Sequence, residues 1–301
     1  MSEFYFPARD RLNAKIEEFL TVQKEQLNRI ISIKEDLIKF ERYEDIVGWE
    51  MVEVEIERSL NKIRTLGKNK STFEFNLEYF KKMKTFDDNI KKIAEHYDKV
   101  PIFDGLVSDQ DYQNSDIKIM WILKEANSTE EDESWDLREH ILNELKTDKG
   151  ILKGWSPTFK KIIYVTNGIL NNLSWNDELY HPSYKPEVID ELKKIAFINI
   201  KKVGGGSVAN KNELSKYYDY SKHLLFEQIN EYNPNIIIFG GTYNFFHKDL
   251  KLEFDKFGSC EATMVDNTIY IDAYHPQYTI KEEIYFNDIL KAVRHYKPSN
   301  V

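Results

Sequence analysis

One cysteine, Cys260, occurs in the 301 residues of this chain. The chain therefore forms no internal disulfide, and an all-cysteine zinc or iron–sulfur site within one chain is excluded. A reducing, intracellular setting fits best. Long apolar runs are also missing: no stretch approaches the roughly 18 apolar residues that span a bilayer. The opening Met1-Ser2-Glu3-Phe4 lacks the basic region and apolar run of a signal peptide. The expectation is a soluble, cytoplasmic protein. Positive charge is not in excess, since the formal net charge is −9. Domains coated for non-specific nucleic-acid binding are usually basic. A local basic groove stays open, because the field near a cleft is set by nearby charges. There is no HExxH and no Cys/His cluster, so no metal or other cofactor is expected. Gly240-Gly241 lacks the GxGxxG spacing of a dinucleotide fingerprint.

What is present can build a core. Aromatic residues make up 14% of the chain and hydrophobic residues 41%, too many for a chain disordered in bulk. Up to residue 97 the pattern is helical. Leu12, Ile16, Leu20, Leu27, Ile30 and Ile31 recur at three- and four-residue spacing, which places them on one helical stripe. Gly48 and Gly67 divide this region into about three helices. It reads either as a bundle packed on its own chain or as an arm for self-association or partner binding. No sustained heptad is present, which favours the bundle. Residues 98–115, with Pro101, Gly105 and several Asp and Ser, read as a linker.

From 116 to 301 the pattern changes. Four short apolar runs follow one another: Ile117 to Leu123, Ile195 to Ile200, Ile236 to Gly240 and Thr268 to Ala273. Helical patterns lie between them, at 157–172, 187–194, 213–232 and 282–295. Strands alternating with helices predict an α/β fold, three-layer α/β/α, with a mostly parallel four-stranded sheet. Ligands of such sheets bind beyond the carboxyl ends of the strands. Those ends are Lys124-Glu125-Ala126-Asn127-Ser128, then Asn199 leading to Lys201-Lys202 and Gly204-Gly205-Gly206, then Gly240-Gly241, and last His275-Pro276.

In this order the pieces resemble the uracil-DNA glycosylase superfamily, specifically its thermostable bacterial branch. That branch carries Gly-Glu-Ala-Pro-Gly after its first strand, where this chain has Lys124-Glu125-Ala126-Asn127-Ser128. An Asn-bearing strand running into lysine, a Pro-led strand ending in Gly, and a His-Pro motif follow in both. Lys124 and Asn127 replace the family's first glycine and its proline, and the branch's iron–sulfur cysteines are absent.

The resemblance implies recognition of a nucleobase in DNA, with hydrolysis of the N-glycosidic bond as the reaction. Glu125 would handle the attacking water, and His275 would hydrogen-bond the departing base anion. Asn199 offers one donor and one acceptor to a base edge. Trp155 or Phe159 would stack on the base, and Asn127 would contribute to substrate binding. Lys201 and Lys202 beside bare glycine amides would suit a phosphate. Each has a plainer alternative. In it Glu125 pairs with Lys124 in a solvated loop. His275 bonds a turn, and Asn199 satisfies loop backbone. Ser156 caps a helix, with Pro157 at its first position and Phe159 in the core. The lysines are solvated on a loose loop. A binding module without catalysis, holding a nucleotide or a nucleic-acid end, is the runner-up, and a scaffold acting through the N-terminal helices is a third reading.

Overall fold

The four apolar runs become the centre of one sheet. In the computed structural model, which describes residues 85–127, 134–175, 181–206 and 209–296, they form β3 (Ile119–Leu123), β7 (Ile195–Asn199), β8 (Ile236–Gly240) and β11 (Thr268–Ala273). Every residue of β3, β7 and β8 is buried. Continuous rather than alternating apolar residues are what a parallel strand needs when both its faces are covered. The pairs β3–β7, β3–β8 and β8–β11 are all parallel.

The expected sheet was too small. Three further strands join it, giving seven in the order β2-β7-β3-β8-β11-β10-β9. The first, β2 (Gly105–Leu106), runs antiparallel to β7. On the other side β10 (Cys260–Val265) and β9 (Asp255–Phe257) are antiparallel additions. The β10–β11 hairpin turns through Asp266 and Asn267, with φ of 49° and 65°. Positive φ at both turn residues matches the twist of the strands they join. The sheet is therefore mixed, with a parallel centre.

Helices cover both faces. On one lie α4 (Ser156–Leu170), α7 (Glu282–Tyr296) and the 3-10 segment Pro186–Lys194. Their buried residues Ile162, Leu192 and Ile289 share a core with Ile119, Trp121, Ile236 and Ile271. On the other face are α5 (Lys211–Tyr232) and α6 (Tyr243–Leu250). There Phe239 of β8 meets Phe246 of α6 at 5.1 Å, and Ser221 of α5 donates to the carbonyl of Ile200 at 3.3 Å.

Residues 98–115 are not a linker. They hold β1 (Ile102–Phe103), β2 and α2 (Asp109–Gln113), and between the two strands Asp104 is 1% exposed. The Pro, Gly and Asp content mimicked a linker because the partners that bury this segment lie some hundred residues away. The α/β unit also begins earlier than expected, spanning Lys84–Val301. Residues 85–96 are helical (α1), with Ile90 and Ala94 fully buried, and Phe86 meets Tyr232 edge-on at 5.8 Å. The helices expected before residue 85 lie outside the described residues. No described helix is long and apolar enough to cross a membrane.

Candidate functional site

Chain order reverses about β3: β7 lies on one side, β8 and β11 on the other. Such a switch leaves a crevice outside the carboxyl ends of the strands. The chain leaving β3 stays paired with the chain leaving β7. Ile200 and Lys201 donate backbone N–H groups to Leu123 and Lys124 carbonyls at 3.0 and 2.9 Å, and Gly205 donates to Ala126 at 2.9 Å. Asn127 and Gly205 form a parallel bridge. Residues 124–127 are therefore laid against Lys201 and Gly205 by backbone pairing.

Within this ladder the Glu125 carboxylate contacts Lys201 Nζ at 3.1 Å, with the two side chains only 7% and 6% exposed. Its partner is thus Lys201, not Lys124. The same ammonium bonds Glu213 at 2.7 Å and lies 4.9 Å above the Tyr217 ring. Burial alone would lower the Lys201 pKa, but its bonds to Glu213 and Glu125 outweigh that and raise it. Gly205 lies directly on Glu125, and a Cβ there would overlap the carboxylate. Its missing side chain, rather than its backbone freedom, is what the site uses.

Asn199 ends β7 and is 2% exposed. Its backbone N–H donates to Asp104 Oδ2 at 2.8 Å. Its side-chain amide has no hydrogen-bond partner among the described residues and lines a cavity. Asp104 is held in turn by Lys202, whose Nζ donates to both carboxylate oxygens at 2.8 Å and to Gln228 Oε1 at 2.9 Å. Lys202 is fully buried, and burial lowers its pKa.

This corrects the expectation for both lysines. Neither is a solvated loop cation and neither lines the cavity. Lys201 pairs with Glu125 and Glu213, and Lys202 is the buried ion-pair partner of Asp104.

His275 follows β11, packed beside Gly241, whose φ of 69° lies in the left-handed region that favours glycine. The backbone N–H of Gln277 donates to His275 Nδ1 at 3.2 Å. Burial first, then the charges of Lys124 and Lys161, pushes the His275 pKa down from 6.5 to about 4. With Nδ1 accepting, the neutral ring carries its proton on Nε2 and offers a donor.

Aromatic rings wall the other side. Trp155 precedes α4 and stacks on His140 at 4.1 Å, and Phe159 stacks on Phe197 at 5.4 Å. Ser156 is the first helical residue rather than the cap, and no side chain caps this helix. The N–H groups of Trp155 and Ser156 instead both bond the Leu152 carbonyl, so they are not free to bind an anion.

Glu125, Asn127, Asn199, His275, Trp155 and Phe159 all line one cavity of about 420 Å³. This lies within the usual range for small-ligand sites. Sequence reasoning missed Phe197 and Asp104, and it gave Gly205 a phosphate-binding role shared with its neighbours rather than a place against Glu125. Phe197 was within reach, since it precedes Asn199 by two and strand residues so spaced share a face. Nothing local marked Asp104 or singled out Gly205 from its neighbours. Among the described residues no group of His, Cys, Asp and Glu is placed to hold a metal. Compared with known proteins, the chain matches no family model and no curated sequence.

Proposed function

We propose that the chain is a uracil-DNA glycosylase-like protein that takes a nucleobase of DNA into this cavity, and that N-glycosidic hydrolysis is the reaction the cavity serves. The observation that carries the reading is the meeting of an amide with no partner among the described residues, a neutral imidazole donor and a carboxylate, from three strand ends, in one aromatic-walled space. The parallel strand order β7-β3-β8-β11, with the quoted motifs at its ends, supports it.

A base lifted from its stack is gripped by its edge and its face. Here Asn199 supplies the donor and acceptor for the edge, and Phe159 with Trp155 supplies apolar surface. Water held by Glu125 attacks the anomeric carbon. The carbon–nitrogen bond breaks with its electron pair on the base, and His275 Nε2–H stabilises the resulting anion. The water proton passes to Glu125 or solvent. Lys201 and Gly205 fix the carboxylate in place.

The test is release of free base from oligonucleotides containing uracil or hypoxanthine. Release that disappears in Glu125→Ala supports the reading. One observation favours the binding-module alternative: Glu125 already has a cationic partner in Lys201. Base-dependent binding without release would select that alternative. Absence of both would end the nucleobase reading.

A further inference from the structure

We propose that a single DNA strand enters the site along a lysine-lined groove beside the cavity, and that an exposed tyrosine pair stacks on a base flanking the one in the cavity. This rests on the nucleobase reading and adds strand type and path. The groove, of about 540 Å³, lies between the start of α4 and residues 277–282. Pro157 and Gln277 line both it and the cavity, so the two spaces adjoin.

Three lysines, Lys153, Lys160 and Lys161, face one carboxylate, Glu282, in the groove lining. This is a local positive excess in a chain of net charge −9. Lys160 contacts Glu282 at 3.0 Å, and Lys153 is exposed. Lys161 is only 8% exposed, and its ammonium donates to the neutral Tyr278 carbonyl at 2.7 Å. A buried ammonium bonded to a neutral carbonyl gains from an approaching phosphate.

The second observation is aromatic. Tyr274 and Tyr278 flank His275, are 47% and 54% exposed, and stack at 4.6 Å with an interplanar angle of 16°. Tyr278 also lines the groove. A cationic track with an open aromatic face is how proteins hold single strands. In a duplex the outer face of the flanking base stays stacked on its next neighbour, whereas in a single strand that face is open.

Fluorescence anisotropy with a labelled single-stranded DNA, its duplex, the matching RNA and the free nucleobase tests this on the full chain. Lys153→Gln/Lys160→Gln should weaken single-strand binding about tenfold and lower the slope of log K against log salt by about 1.4. Tyr278→Ala should lose roughly 5- to 150-fold, with Tyr278→Phe restoring it. Free-base affinity should not change in either variant. Duplex binding as tight as single-strand binding, tighter binding of RNA, or an unchanged salt slope in the lysine variant would overturn the proposal. Loss of free-base binding by the unmodified protein with the salt response intact would sink the cavity reading and leave the groove standing.

Discussion

Replacing Lys202 by methionine removes the one cationic partner that a buried carboxylate has among the described residues. Asp104 and Lys202 are 1% and 0% exposed and meet through two 2.8 Å contacts. Without the ammonium, Asp104 keeps the Gln228 amide at 3.2 Å and the Asn199 N–H at 2.8 Å, both neutral donors. Breaking a buried pair from one side costs about 3–5 kcal/mol. With a urea slope of roughly 2–3 kcal/mol/M, the midpoint should fall by about 1–2.5 M. Tryptophan fluorescence reports it, since Trp121, Trp135, Trp155 and Trp175 lie in this unit. Asp104→Asn/Lys202→Met keeps an acceptor for Asn199 and leaves no orphan charge, so it should recover much of the loss. A single variant within about 0.3 M of the parent, or a double variant worse than the single one, would refute the argument.

Acid stability should depend on two groups with opposite signs. The folded-state pKa of His275 is depressed from 6.5 to about 4, so the unfolded chain binds more protons in that window and stability falls as pH drops through it. Burial first, then Glu261, pushes Asp272 from 3.8 up to about 6, so in its window stability rises as pH drops. Urea titrations at several pH values should show His275→Gln flattening the first dependence and Asp272→Asn the second; unchanged profiles would contradict the burial of each group. Gly205→Ala should displace the Glu125 carboxylate, costing about 1–3 kcal/mol in stability, and should remove base release; a variant that keeps both parental values would show that Glu125 does not need this contact. Asn199→Leu keeps the cavity close to its size but removes the amide, so base affinity should fall by about 1–3 kcal/mol, roughly 5- to 150-fold, read by calorimetry; equal affinity would remove Asn199 from the site.

The alternation of apolar runs with helical patterns determined the α/β class and the parallel centre, because side-chain periodicity is a local property. It placed β3, β7, β8 and β11, and with them the strand ends that carry Glu125, Asn199 and His275. The antiparallel strands β2, β9 and β10 escaped it. β2 and β9 are only two and three residues long, and β10, Cys260–Val265, alternates buried with part-exposed residues and ends exposed instead of forming a continuous apolar run.

Only tertiary structure decided what the lysines do. Lys201 and Lys202 are adjacent in sequence and beside a glycine loop, which reads as a phosphate site. The chain bends through Ile200, Lys201 and Lys202 after β7 ends, and the two lysine side chains leave it toward different surroundings. One reaches Glu125 and Glu213, and the other reaches Asp104 and Gln228 in the interior. Asp104 lies 98 residues from Lys202, and no local pattern records a contact of that range. The cavity exists for the same reason: its walls come from three strand ends and the start of α4, and only the folded sheet brings them together.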